Sequence, residues 1–246
     1  MGETLRILSA NLWNGGADPD AFAELVVREH VDVVAVQELT PEQAEALGAV
    51  MPHGELHPAR DFGGMGVAMR QPGKLTRVPV PHRDARAVAL SPDDWPKLDA
   101  PIEIVNVHIM APHVFKPQLG LRWRGPQMTA LERYLAARSV PQRVVVGDFN
   151  ATPAWPVYRR MAAQSTDAAA AVAERTGVRT RATWGPWFGA PRLARIDHAF
   201  VSGVEVEAFR VLEIAGSDHS AIVLDVTVAA AGGRVVREGV AMSPQR

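Results

Sequence analysis

Apolar residues along this chain fall into short runs, each stopped by turn-forming or polar residues. Residues 5–12, 31–36, 66–69, 87–90, 102–109, 144–146, 196–201, 204–211 and 221–228 read as strands. In the clearest of them, Ile102-Glu103-Ile104-Val105-Asn106-Val107-His108-Ile109, the even positions form one face and the odd positions the other. Helical spacing governs residues 19–29, 41–50, 126–138 and 155–164. Three of these helices open with proline in the first turn, where its missing N–H costs nothing. Strands outnumber helices, and the helices fall between strands early and midway. That order predicts an α+β fold of two packed mixed β-sheets flanked by helices, rather than a doubly wound parallel sheet. No linker-like stretch divides residues 1–228, which are read as one catalytic domain. Residues 229–246, with Gly232-Gly233 and Ser243-Pro244, are read as a loosely held tail.

Composition narrows the chemistry. With 246 residues, 47% of them hydrophobic and 22% charged, the chain can bury a large core. It has no cysteine, which excludes thiolate metal sites, disulfides and a cysteine nucleophile. Its 26 Lys and Arg nearly balance 27 Asp and Glu. A protein that coats nucleic acid usually carries a basic excess, because phosphate neutralisation dominates its affinity. A site made locally positive by a bound metal is still compatible with this balance. No stretch reaches the roughly 20 apolar residues of a membrane span, and the first residues lack the basic and apolar regions of a secretory signal. The expected location is cytoplasmic.

Candidate chemistry gathers at strand ends. Asn11 closes the first strand, Glu38 follows the second, and His108 lies near the end of the strand at 102–109. Asp148 and Asn150 follow three valines in Gly147-Asp148-Phe149-Asn150. Asp197 opens a strand in Arg195-Ile196-Asp197-His198, and Asp218-His219 precedes the last one. Singly, each has an ordinary reading: a solvated cap, a satisfied edge histidine or a turn-capping aspartate. Asp148 and Asn150 carry more, because an i, i+2 pair leaving a buried strand points both side chains the same way. Hard oxygen donors of this kind suit Mg²⁺, which prefers carboxylates and waters.

Taken in order, these segments resemble the endonuclease/exonuclease/phosphatase superfamily of deoxyribonuclease I-like enzymes. The resemblance runs from about Leu5 to about Val226. It is most specific in Gly147-Asp148-Phe149-Asn150-Ala151-Thr152-Pro153, Arg195-Ile196-Asp197-His198 and Ser217-Asp218-His219-Ser220. It implies a four-layer sandwich and hydrolysis of phosphate esters with Mg²⁺, Mn²⁺ being the alternative ion. It further implies Glu38 as the main metal carboxylate, with Asn11 and Asp218 beside it. Asp148 and Asn150 correspond to the pair orienting water and phosphate, His219 to the imidazole beside the phosphate with Asp197 behind it, and His108 to a second phosphate-facing imidazole. Whether Asp148 or His219 takes the water's proton stays open.

The substrate is less legible. Arg83 or Arg86 is a candidate phosphate-binding arginine, Arg86 being preferred, and either could equally be a surface charge. The stretch 114–124, with Lys116, Arg122, Trp123 and Arg124, is read either as a groove lining or as a solvated loop. Trp184 and Trp187, in Thr183-Trp184-Gly185-Pro186-Trp187-Phe188, either grip a base or alkyl chain or cover the core edge. His198 stands where many relatives carry an aromatic residue. The motif wording favours nuclease-like phosphodiester cleavage of substrates such as DNA, while the neutral charge favours a phosphatase for a small or lipid-linked phosphate. Two other classes compete: a phospho-ligand-binding pseudoenzyme, and a zinc hydrolase built from His57, His108 and His219, whose spacing gives no helical ligand pair.

Overall fold

The computed structural model describes residues 4–113 and 117–228. Its strands form two six-stranded sheets. The first comprises β1 (Leu5–Asn11), β2 (Val33–Gln37), β3 (His53–His57), β4 (Met65–Met69), β11 (Glu205–Glu213) and β12 (Ser220–Thr227), in the order β11-β12-β1-β2-β4-β3. The second comprises β5 (Lys74–Arg77), β6 (Arg86–Leu90), β7 (Ile102–His108), β8 (Arg143–Asp148), β9 (Thr166–Asp167) and β10 (Asp197–Ser202), in the order β5-β6-β7-β8-β10-β9. Each sheet has one parallel pair, β1 with β2 and β7 with β8, and its other pairs are antiparallel. Among the described residues five α-helices flank them: α1 (Pro19–Arg28), α2 (Pro41–Val50), α3 (Pro117–Ala137), α4 (Pro156–Ala162) and α5 (Ala168–Thr176).

Period-two alternation builds the layers. One face of each long strand packs between the sheets, through Leu5, Ile7, Val33, Ala35, Ile102, Ile104, Val144, Val146, Ile222 and Leu224. The opposite face of the first sheet takes Phe22, Leu25 and Val26 of α1 and Leu47 of α2. That of the second takes Met128, Leu131 and Leu135 of α3 and Val157 and Met161 of α4. Each such aliphatic side chain contributes about 1.5–3 kcal/mol over exposure, so the inter-sheet layer is the main adhesive. The expected two-sheet, helix-flanked α+β sandwich is the fold.

Local signals explain the helix starts. Asp18 caps α1 by accepting the Ala21 N–H at 2.9 Å, with Pro19 in the first position. Thr40 N–H donates to Gln43 Oε1 at 2.9 Å in the first turn of α2. The expected helix at 126–138 differs: α3 begins at Pro117, and Pro126 lies within it. A proline that looks like a helix start also fits inside a helix, where it forfeits one backbone bond and kinks the axis. The stretch read as a groove or loop is therefore helical from Pro117 onward, while Lys116 lies outside the described residues, as does the tail at 229–246. Strands β3, β5 and β9 and helix α5 carried no clear pattern. The first two are largely exposed, β9 has two residues, and α5 opens with a run of four alanines.

Along the inter-sheet face, polarity rises toward one edge. On β7, Ile102 and Ile104 give way to Asn106 and His108; on β1, Leu5 and Ile7 give way to Ser9 and Asn11. In the middle, Gln37 Nε2 donates to Asn106 Oδ1 at 2.7 Å and to Ser9 Oγ at 3.1 Å. This buried polar layer joins the sheets directly beneath the edge where the strand-end residues meet.

Candidate active site

Both parallel pairs point their C-terminal ends at that edge, and the antiparallel β10 and β12 begin there. Topology alone thus assembles residues from six separate segments. In register, His108 pairs with Asp148, and Asp148 with Asp197. Asp148 is almost fully buried and heavily hydrogen-bonded. Its Oδ2 accepts from Asn11 Nδ2 at 3.1 Å and Asn150 Nδ2 at 2.9 Å, and its Oδ1 accepts the Asn150 N–H at 2.7 Å. Asn150 reaches back through a left-handed backbone (φ 48°), not through a continued strand. Gly147 is required just before: a Cβ there would lie 1.9 Å from the Val107 carbonyl oxygen, at φ 143°.

Glu38 lies one residue beyond β2, where simple alternation would send its side chain to the outer face. Its left-handed φ of 54° breaks the alternation, and the carboxylate lines the cavity with Oε1 3.7 Å from His108 Nε2. The turn carrying Asp218 and His219 is held by Ser217, whose Oγ donates to the Asn11 carbonyl at 2.9 Å and accepts the His219 N–H at 3.0 Å. His219 Nδ1 is 3.0 Å from Asp197 Oδ2, while Nε2 faces Asp148 Oδ2 at 3.9 Å. Trp184 Nε1 donates to Asp218 Oδ2 at 3.1 Å, and Asp218 Oδ1, 4.0 Å from His219 Nε2, is buried without a hydrogen-bond partner among the described residues. Asn11, Glu38, His108, Asp148, Asn150, Asp197, Asp218 and His219 therefore meet at one place.

They underlie a cavity of about 560 Å³, lined also by Arg83, His113 and Trp155 and rimmed by Trp13 and Phe62. Of the expected substrate residues, Trp184 lines it. Trp187 does not, and is 61% exposed on the neighbouring loop. Arg86 is turned away, paired with Asp84 at 2.7 Å and Glu55 at 3.3 Å. Arg124 is buried: it donates to the Met110 carbonyl at 2.7 Å and lies over the Trp155 ring, so it shapes the wall from behind. The arginine in the cavity is Arg83. His57 contacts Glu55 on the surface and takes no part.

The sequence model of the Endonuclease/Exonuclease/phosphatase family matches residues 8–219, a span that includes every one of these residues. The chain belongs to this family. Solved structures agree in fold. The endonuclease/exonuclease/phosphatase of Bacteroides vulgatus is 20% identical, with 92% of this chain and 99% of that chain covered at a TM-score of 0.71. A humanized Danio rerio TDP2 is 16% identical, with 92% and 99% covered and a TM-score of 0.68. The human Nocturnin catalytic domain, solved with a bound sulfate anion, is 17% identical, with 92% and 95% covered and a TM-score of 0.66. No curated protein matches by sequence. Members of the Endonuclease/Exonuclease/phosphatase family are in general hydrolytic phosphoesterases that use divalent metals.

The electrostatics of this family member fit such an ion. Burial raises the pKa of Glu38, Asp148 and Asp218, and at Asp148 the Asp197 charge adds to burial to bring it to about 7. No lysine or arginine forms an ion pair with Glu38, Asp148, Asp197 or Asp218 among the described residues. Four crowded carboxylates around one imidazole, one of their oxygens without a hydrogen-bond partner, form a donor set suited to a hard divalent cation. Asp148, Asp197 and His219 also offer three ligand atoms within 4.8 Å of one another, a cluster able to hold a metal. At His219 burial alone would lower the pKa, but Asp197, Asp148 and Asp218 outweigh it and raise it to about 10. His108 goes the other way: burial, then Arg83 and His219, drive it well below the usual value, so its imidazole is neutral.

Sequence reasoning missed Trp13, Phe62 and Trp155 and left Arg83 undecided. Trp13 and Trp155 had a usable signal, since each lies a few residues beyond a strand-end site residue. Phe62 had none. It reaches the rim through tertiary contacts, its N–H donating to Asn14 Oδ1 at 3.3 Å and its carbonyl accepting from Arg83 at 2.9 Å.

Proposed function

We propose that the protein is a divalent-metal-dependent phosphoesterase that cleaves phosphodiesters with an activated water. The observation that carries this reading is the line Asp197–His219–Asp148 at the floor of the cavity, with Asp148 clamped by two asparagines. Glu38 and Asp218, with Asn11 beside them, would hold Mg²⁺ or Mn²⁺, which would supply Lewis-acid charge against the phosphate oxygens. We assign the ion to these residues, not to the Asp148–Asp197–His219 cluster, because the surrounding acids hold His219 protonated and an imidazolium offers no lone pair to a metal.

Each remaining residue then has a task. Asp197 fixes the His219 tautomer and favours its protonated form, so the imidazolium faces the phosphate as a cation. Asp148, raised to about 7, is the better acceptor for the water's proton near neutral pH. Asn150 and Asn11 hold the Asp148 carboxylate in one orientation. Neutral His108, with Nε2 3.6 Å from Asp148 Oδ2, donates toward the same phosphate. Arg83, whose buried Nε has no hydrogen-bond partner among the described residues, is the arginine that meets the substrate's charge.

A second reading has its own observation. The rim is aromatic, with Trp13 37% and Phe62 48% exposed, and it suits a small or lipid-linked phosphate ester as well as a nucleobase. No described helix is long and apolar enough to cross a membrane. A pseudoenzyme is disfavoured because ligand binding alone does not need the whole constellation. The deciding experiment is a substrate panel with Mg²⁺: plasmid and single-stranded DNA, RNA, nucleotides, inositol phosphates, lipid pyrophosphates and a chromogenic phosphodiester. Activity should vanish with EDTA and return with Mg²⁺ or Mn²⁺. Full turnover by the metal-stripped protein would overturn the proposal.

A further inference from the structure

Asp218 and His219 sit on a tight turn, and the carbonyls of such a turn are free unless something gathers them. Here one side chain does so. Arg192 donates through Nη2 to the Ser217 carbonyl at 3.0 Å and the His219 carbonyl at 3.1 Å, through Nη1 to the Asp218 carbonyl, and through Nε to Ser220 Oγ at 3.0 Å. Its fork thus spans three consecutive carbonyls and the next hydroxyl, and among the described residues no carboxylate pairs with it. Arginine's planar, rigid donor geometry suits this task, and a lysine point charge does not reproduce it.

The same loop also sets the opposite partner. Thr183 Oγ1 accepts the N–H groups of Ile196 and Asp197 at 3.1 and 3.2 Å, and the Thr183 carbonyl accepts the Ser220 N–H at 2.7 Å. Trp184 holds one oxygen of the Asp218 carboxylate, and the Gly185 N–H meets the Asp218 carbonyl at 3.1 Å. Residues 183–195 therefore touch both halves of the His219–Asp197 pair.

We infer that Arg192 is a positioning residue that clamps the 217–220 turn, aiming His219 at Asp148 and turning the free oxygen of Asp218 toward the metal. The inference rests on the proposed phosphoesterase reading. The Ser217 and Gly185 bonds to the turn do not involve Arg192, so the clamp is expected to govern precision, not folding. A displacement of about 1 Å at a reacting group costs on the order of 100-fold in rate.

The test uses the full chain, with Arg192→Lys, Arg192→Ala, a matched control Arg175→Lys and the reference Asp148→Asn. Arg175 also donates to two carbonyls, those of Val206 and Glu207, but it does not line the cavity. Three quantities are read: kcat and KM on a chromogenic phosphodiester with Mg²⁺, Mn²⁺ affinity by electron paramagnetic resonance, and melting temperature. Arg192→Lys should lower kcat by roughly 10- to 100-fold with KM little changed, and should weaken Mn²⁺ binding. Added guanidinium should restore part of the kcat of Arg192→Ala. Arg175→Lys should change neither kcat nor Mn²⁺ affinity. The inference is overturned if Arg192→Lys matches Arg175→Lys in both readouts, or if Arg192→Lys does not fold. Should the wild type lack phosphoesterase activity, or Asp148→Asn keep it, the functional reading falls, and Mn²⁺ affinity alone then decides the role of Arg192.

Discussion

Strands β7 and β8 lie side by side in parallel and carry a buried carboxylate near each end. At the start, Glu103 pairs in register with Arg143; at the finish, His108 pairs with Asp148. Glu103 Oε2 accepts from Arg143 Nε at 2.6 Å, and Oε1 accepts from Arg138 Nε at 2.8 Å and the Tyr134 hydroxyl at 3.1 Å. Asp148 meets two asparagine side chains, one backbone N–H and two imidazoles, with no guanidinium ion pair. Both carboxylates are about equally buried, at 2% and 1% exposure. What separates them is charge balance. Glu103 is matched by two cations within the fold, on the sheet face that packs against α3, whereas Asp148 shares a single imidazolium, His219, with Asp197 and Asp218. A buried acid marks a site only when the fold does not neutralise it.

The comparison can be broken in four ways. The largest effect is expected at the acid-rich end. Asp148→Asn or His219→Ala should lower kcat by roughly two to four orders of magnitude while circular dichroism stays unchanged; a folded variant losing less than tenfold would show that the reaction lies elsewhere. At the neutralised end the expectation is reversed. Glu103→Gln leaves two arginines without a counter-charge, and denaturant melts should report a loss of about 3–5 kcal/mol, with kcat per folded molecule intact.

A subtler contrast lies in the two neighbouring arginines. Arg83→Ala should cost about 1.5–3 kcal/mol in kcat/KM, the scale of a charge-assisted hydrogen bond to a phosphate. Arg86→Ala should leave kinetics alone and change stability by at most about 1 kcal/mol, because its pairs are partly solvated. Equal kinetic losses at both positions would dissolve the distinction. The smallest effect is expected from Trp187→Ala. With the side chain 61% exposed and outside the cavity lining, melting temperature and turnover of a small chromogenic phosphodiester should both hold. A raised KM confined to larger substrates would mark Trp187 as an outer contact; a drop in melting temperature would mark it as core cover.

These contrasts also separate what could be read early from what could not. The eight strand-end residues were legible because each sits where a run of apolar alternation begins or stops, and the run itself says where the strand lies. Arg83 and Arg86 looked equivalent, because three residues of separation carry no information about which carboxylates lie beside each. Arg86 begins a strand whose neighbours offer Asp84 and Glu55, while Arg83 precedes it in the loop and turns inward. Arg124 read as a groove or loop residue only while residues 114–124 were taken for a groove or a loop. Once α3 extends back to Pro117, the guanidinium lies over Trp155 with the Met110 carbonyl as its acceptor.

By itself, then, the order of residues determined the two-sheet fold, the strand-end acids, amides and imidazoles, and the family, because period-two burial and local turn chemistry act over a few residues. Tertiary structure decided which charges are spent and which are free. It paired Glu103 with Arg138 and Arg143, turned Glu38 inward through a left-handed backbone, and brought Arg83, Phe62 and Arg192 to the site from loops with no local signature. The physical reason is that an ion pair or a hydrogen bond depends on distance in space. Along a folded chain that distance is set by the packing of whole sheets, not by the spacing of the residues that meet.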